Sequence, residues 1–253
     1  MMSAPYDVTA PVSVFVFGHC HVRSSGKLAT PPLHLLRVLI YVLLEGRGKP
    51  VSRGRIRDLI WSDNGSERAN ADIRQSMGRI RKFQQDYNFE LLSADTQTVW
   101  LNPDQNVYID LAEFIGLIAS PSPRACVRMC EIYRGELLDS SGSVGNGFEE
   151  WLAFQRTALL QDFNRTVSAA LQSGTELTPQ QRHFCASRLL QLDACHEGAH
   201  RALMSDAAAK GEFSRVKQLF NACSKQLHEE LGVGPDHETV RLYQELTGRS
   251  LEV

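Results

Sequence analysis

A chain of 253 residues, 43% hydrophobic and 22% charged, has room for one or two globular domains and the make-up of a soluble protein. No apolar run reaches the length of a membrane span, the first residues carry Asp7 and no basic stretch and so do not read as a signal peptide, and six scattered cysteines follow no disulfide-framework spacing; a cytoplasmic protein with reduced thiols is expected. The net charge of −2 by itself argues for no nucleic-acid partner, but its distribution does: from Arg47 to Lys82 ten cations meet four acids, a surplus of six, and the remainder carries −8.

In chain order, Val12–Phe17 (VSVFVF) reads as a strand, and Ser24-Ser25-Gly26-Lys27 as a turn within a small sheet. Thr30-Pro31-Pro32 reads as an N-cap with first-turn prolines, ahead of a helix marked by Leu35, Leu36, Leu39, Ile40 and Leu43 and ended by Gly46 and Gly48. Ser52 is placed to cap a shorter helix that buries Ile56, Leu59 and Ile60 and ends at Trp61. Asp63-Asn64-Gly65 gives a turn, and Ser66 caps a third helix. Leu91-Leu92 and Val99-Trp100-Leu101 then flank a polar tip at residues 93–98, the pattern of a hairpin. Strands, three helices and a hairpin make the outline of a winged helix-turn-helix.

The third helix, SERANADIRQSMGRIRKF, carries the functional argument. At about 100° per residue, Ile73, Met77 and Ile80 share one narrow apolar stripe. Gln75, Gly78, Arg79 and Lys82 lie opposite it, with Arg74 and Arg81 on the flanks. Arg can fork onto guanine, Gln can pair with adenine, cations neutralise phosphates, and Gly78 removes a side chain where a groove presses closest. A plain solvated helix surface is the alternative for such a face taken alone; the hairpin and the basic surplus around it favour DNA.

Residues 12–104 resemble the OmpR/PhoB-type winged helix, through the Leu-rich first helix, VSRGRIRDLIW, RIRKF and LLSADTQTVWLNP. The resemblance implies a third helix in the major groove and a wing tip, here Thr96 and Gln97, on the adjacent minor groove or backbone. The candidate DNA-binding residues are Arg74, Gln75, Gly78, Arg79, Arg81, Lys82, Arg68, Arg53, Arg55, Thr96 and Gln97. Asp72 stands where such relatives often carry Asn; an acid near the helix start suits the dipole but repels phosphate, so it is not counted as a contact.

The composition changes near residues 106–110. Asp110–Ala119 and PSPRACVRMCEIYRGELLD suggest helices, SSGSVGNG a flexible loop, and Phe148–Gln172 a long helix. Four further helical runs, about 179–192, 196–209, 213–230 and 236–247, are separated by Gly174, Gly211 and GVGP, the rhythm of a tetratricopeptide-like array. IYRGELLD, FEEWLAFQR, RLLQLDACHEGAHRALMSDAAAKGEFSRVKQ and LHEELGVGPDHETVRLYQEL together resemble the bacterial transcriptional activator domain. A winged helix at 1–106 followed by that domain at 107–253 is the architecture of the antibiotic regulatory protein (SARP) family. The resemblance implies a mainly α protein with a small β component that regulates transcription, as an activator. It implies double-stranded DNA, often as direct repeats, as one partner, with RNA polymerase and a second protomer on DNA as others, and no membrane.

Other chemistry finds less support. His183, Cys185, Cys195, His196 and His200 lie close in sequence but lack the tight C-x₂-C spacing of structural zinc sites, and Cys126 and Cys130 share a helix face as small hydrophobes do; no metal is expected. No G-x-S-x-G, H-E-x-x-H, P-loop or dinucleotide fingerprint appears, so neither an enzyme nor a cofactor is expected. A tetratricopeptide-like adaptor without DNA binding is the stronger rival, and the basic third helix with its wing discriminates against it.

Overall fold

The computed structural model describes residues 10–62, 66–102, 106–139, 146–172 and 177–248. The turn expected at Asp63-Asn64-Gly65, most of the SSGSVGNG loop and Gly174 lie outside these residues. The chain forms two compact units: Met1–Gly116 with Glu131–Leu159, and Leu117–Cys130 with Leu160–Val253. Where composition shifts near 106, the first unit continues, for a reason its sheet makes plain.

That sheet has four strands: β1 (Val12–Phe15), β2 (His21–Ser24), β3 (Lys27–Ala29) and β7 (Val107–Ile109), in the order β3-β2-β1-β7. β1 pairs antiparallel with β2, and Val12, Ser13 and Val14 pair in parallel with Val107, Tyr108 and Ile109. Everything between β3 and β7, including three helices and the hairpin, is therefore an excursion that returns to the same sheet. The return is fastened by Asp110, first residue of α4 (Asp110–Ala119). Its carboxylate accepts from the amides of Val16 (3.0 Å to each oxygen), Phe17 (3.2 Å) and Leu111 (2.8 Å). Burial pushes this carboxyl up to about 7, against the pull of the three amide donors.

The excursion begins with α1 (Leu33–Gly46), whose Leu35, Leu36, Val38, Leu39, Ile40 and Val42 are buried. Full burial of one such side chain contributes roughly 1.5–3 kcal/mol, which outweighs the modest helix propensity of the β-branched members. The start differs from the Thr30 cap read in the sequence. Pro32 occupies the N-cap with extended ψ of 134°, so both prolines precede the helix; Pro31 is itself held extended by the proline after it. Nor do the glycines end the helix alone, since Arg47 takes the left-handed conformation (φ 47°) between them. After β4 (Val51–Ser52), α2 (Arg53–Ile60) buries Ile56 and Ile60, while Leu59 is half-buried. Ser52 holds the N-cap position but makes no side-chain cap bond. α3 (Ser66–Asp86) follows, and then the wing, β5 (Leu92–Ala94) and β6 (Thr98–Leu101), which with β4 forms a second sheet in the order β4-β6-β5. The wing's tip is shorter than the sequence suggests: Ser93, Ala94 and Thr98 belong to the strands, leaving Asp95-Thr96-Gln97. Two helices and a wing packed on α1 confirm the winged-helix fold.

Beyond α4 come α5 (Pro123–Ile132), α6 (Asn146–Gln172), α7 (Pro179–Leu192), α8 (Glu197–Ala209), α9 (Phe213–Leu231) and α10 (His237–Thr247). In the second unit α7 packs on α8, α8 on α9, and α10 on both α8 and α9, the stacking of a tetratricopeptide-like array. The helix starts are marked locally. Thr178 and Gln181 form a capping box on α7, and the Asp236 carboxylate accepts from Thr239 N on α10; each cap contributes about 1 kcal/mol. His196 caps α8 through Nδ1, which accepts from Ala199 N, and its Nε2 lies 2.8 Å from Ser168 Oγ. Cys126, Cys130 and Cys185 are buried in this unit's core. Burial pushes the Cys126 thiol up to about 11, and contact with Cys185 raises that of Cys130. These are the surroundings of unreactive core thiols.

Candidate nucleic-acid interface

α3 is 21 residues long and amphipathic in the way its spacing predicts. Ile73, Met77 and Ile80 are buried, joined by Ala69, Ser76 and Gln84. Arg68, Arg74, Gln75, Gly78, Arg79, Arg81 and Lys82 are all exposed. A Cβ added at Gly78 would meet nothing within 4 Å, so no protein neighbour requires a glycine there.

The structure also shows which flank of α3 the wing covers, something a helical wheel alone leaves open. An open groove of about 720 Å³ is lined by Arg53 and Arg57 of α2, Glu67, Asn70 and Arg74 of α3, and Thr96 of the wing tip. Further along the same flank, Arg81 and Gln85 line a second groove, of about 740 Å³, with Ser93, Ala94 and Trp100 of the wing strands. Gln75, Arg79 and Lys82 line neither groove. Arg79 instead lies near enough to His34, at the start of α1, to help Arg37 and, above all, burial lower its pKa. Arg55 also stands apart, beside Tyr41 of α1, where its charge acts on the phenol.

The first groove is pre-set by hydrogen bonds. Arg53 Nη1 donates to Asp95 O (2.8 Å), and its backbone N–H donates to Gln97 O (2.8 Å). The Asp95 carboxylate folds the tip by accepting from Gln97 N (2.7 Å) and Thr98 N (2.6 Å), and the Thr98 and Gln97 amides hold its pKa below the ordinary carboxylate range. Arg57 donates to Asn70 Oδ1 (2.9 Å) and pairs with Asp58 (2.6 Å). Arg74 Nε donates to Asn70 O (3.1 Å).

Behind these groups, Gln84 fastens α3 to the wing. It is 3% exposed; Oε1 accepts from Leu91 N (3.0 Å) and Leu92 N (2.7 Å), and Nε2 donates to Leu92 O (3.0 Å). Arg57, Asn70, Gln84 and Asp95 are not among the residues singled out from sequence. For Arg57 a signal was available: it is four residues after Arg53, on the same face of α2. Gln84 offered none that spacing analysis uses, because its partners lie in a different element.

The residues weighed as zinc ligands occupy other roles: Cys185 lies in the core, His196 caps α8, and His200 Nε2 is 3.1 Å from Ala194 O. Among the described residues, no group of three or more His, Cys, Asp or Glu is arranged to hold a metal ion, and no helix is long and apolar enough to cross a membrane.

Residues 123–247 match the family model described as bacterial transcriptional activator domain. Among solved structures, the chain is similar to Mycobacterium tuberculosis EmbR in complex with a low affinity phosphopeptide. The TM-score is 0.63 at 16% identity, covering 96% of this chain and 67% of that chain. At that identity the likeness speaks for the fold. No curated protein matches the sequence.

Proposed function

We propose that this chain, whose residues 123–247 match the bacterial transcriptional activator domain and whose fold is similar to that of EmbR, is a SARP-type transcriptional regulator that activates transcription by reading double-stranded DNA with its winged helix. In this reading α3 enters the major groove and the wing tip, Thr96 and Gln97, meets the adjacent minor groove or backbone. The phosphate strand between the two grooves runs along the wing-covered flank of α3.

The observation that carries the proposal is the groove of Arg53, Arg57 and Arg74 facing Thr96, because cations held by fixed hydrogen bonds between a helix and a wing suit a backbone that must pass there. Arg81 and Lys82 add phosphate contacts, with Arg68 and Arg55 nearer the margins. Gln75 and Arg79, which face away from the apolar stripe and line neither groove beside the wing, are the base readers, and Gly78 lets the helix approach closely. The helical region that includes residues 123–247 contacts a second protomer on direct repeats, or RNA polymerase. The protein acts in the cytoplasm, without enzymatic activity or cofactor. A pure adaptor role leaves the cationic groove without a purpose.

The test is a salt series on a duplex selected from a randomised pool. The logarithm of affinity should fall with the logarithm of salt by about 0.9 for each phosphate contacted, so by several in total. A slope near zero would remove DNA binding as the main activity.

A further inference from the structure

Among the charged residues lining the groove of Arg53, Arg57 and Arg74, Glu67 has the wrong sign for a phosphate strand. It lies in the first turn of α3 and is exposed. Each arginine of the groove is held by another acceptor: Arg53 by Asp95 O, Arg57 by Asn70 Oδ1 and Asp58, and Arg74 by Asn70 O. Among the described residues, Glu67 itself makes no ion pair and no side-chain hydrogen bond. Its carboxylate is therefore available to a ligand, beside three cations that offset its repulsion from nearby phosphates.

The helix sets where that carboxylate stands. Glu67, Ala71, Arg74 and Gly78 follow one another at spacings of four, three and four, which puts them in one line along α3. All four are exposed, and the line runs outside the buried stripe of Ile73, Met77 and Ile80. Ala71 and Gly78 keep the line low, and a Cβ at Gly78 would meet no protein atom within 4 Å. The line that lets Gly78 approach the bases thus carries Glu67 as well, about 16 Å nearer the start of the helix and so at a different base pair.

A carboxylate can only accept hydrogen bonds. In the major groove guanine shows the acceptors N7 and O6, and thymine its O4 and methyl group, so neither suits Glu67. Adenine donates from N6 but sets the acceptor N7 beside it. Cytosine donates from N4 with no acceptor next to it on that edge. We propose that Glu67 is a specificity-determining residue, accepting a hydrogen bond from the N4 amino group of one cytosine in the major groove. The proposal rests on the DNA reading given above and adds a base identity to it. An acid that served only the helix dipole would leave sequence preference alone, and one that merely stood in the path of the backbone would weaken every duplex equally.

The experiment is a selection from a randomised duplex pool with the full chain, carried out on the wild type, Glu67→Gln and Glu67→Ala. The wild type should prefer cytosine at one position by at least about fivefold. Glutamine pairs with adenine N6 and N7, so Glu67→Gln should move that preference to adenine and leave the other positions as they were. Glu67→Ala should erase the preference at the same position without replacing it. An unchanged consensus in both variants, or a uniform gain of affinity for all duplexes with the consensus kept, would overturn the proposal while leaving the DNA reading standing. A wild type that selects no sequence would overturn the DNA reading itself, and the proposal with it.

Discussion

Gly78→Ala separates what α3 needs to fold from what it needs to do. Gly78 sits in the interior of a 21-residue helix, is exposed, and has open space where a Cβ would go. A glycine inside a helix costs roughly 0.5–1 kcal/mol relative to alanine. No neighbour in the protein offsets that cost. The substitution should therefore stabilise the fold by that amount, raising the melting temperature by about 1–4 °C for a chain of this size. Where the helix backbone presses against bases, the added methyl must be accommodated by displacement. Overpacking of that kind costs about 1–3 kcal/mol, equivalent to a fivefold to hundredfold loss of affinity.

The fold supplies an internal control. Gly116, in α4, is likewise helical and exposed and meets nothing within 4 Å. Gly116→Ala should give a similar stabilisation and leave DNA affinity unchanged. Denaturant unfolding and anisotropy on the same selected duplex read both quantities for both variants. A Gly78→Ala protein that is more stable and binds DNA as well as wild type would refute the close approach, and with it the orientation of α3.

Other substitutions probe the frame and the division of labour. Gln84→Leu removes three buried hydrogen bonds and leaves the Leu91 and Leu92 amides unsatisfied, so urea titration should show a loss of about 2–5 kcal/mol, with DNA affinity falling as the wing loosens; a loss under 1 kcal/mol would mean the clamp is dispensable. Arg79→Ala should relax sequence preference at one or two operator positions, and Arg81→Ala should weaken all sequences alike and lower the salt slope by about one; a randomised-duplex selection that finds the reverse assignment would show the wrong face in the groove. Asp110, raised from 3.8 to about 7 in the fold, stabilises the protein fully below about pH 4 and loses that contribution as pH rises to 7. Relative to an Asp110→Asn variant, wild-type stability should then fall by up to about 1.4 kcal/mol per pH unit across that window and level off above it; parallel curves for the two proteins would contradict this.

What could be read from the sequence follows from what periodicity measures. Ile73, Met77 and Ile80 declare a buried stripe because each is apolar and each falls at helical spacing. The starts of α7 and α10 are legible for a related reason, since Thr178 and Asp236 act on amides three residues away. Gln84 lies four residues beyond Ile80, beside the same stripe, yet as an amide it reads as solvent-facing. Only its bonds to Leu91 and Leu92 make its burial tolerable, and those depend on how the wing folds back. Asp110 is the same case at greater range, with partners 94 and 93 residues away. The wing tip is shorter than its polar run suggests because Asp95 tightens the loop with its own side chain. The prolines precede α1 instead of forming its first turn because each of two adjacent prolines restricts the residue before it as well as itself.

The two flanks of α3 carry different kinds of cation, and the difference is physical before it is functional. On the wing side, Arg53, Arg57 and Arg74 are already tethered to Asp95 O, Asn70 Oδ1 and Asn70 O. Fixing a long side chain in advance reduces the rotamer entropy lost when it meets a ligand, and a regularly spaced phosphate strand is the partner that benefits from rigid positioning whatever its sequence. Gln75 and Arg79 are exposed and stand outside both grooves, and in the proposed reading they are left to adjust to the donors and acceptors of individual bases. A protein that reads sequence needs both, and needs them apart: a tethered base reader would tolerate fewer operators, and a mobile phosphate contact would set the register poorly. In the proposed reading the Gln84 clamp makes that separation possible, because its bonds to Leu91 and Leu92 fix the wing, and with it the groove of Arg53, Arg57 and Arg74, relative to α3.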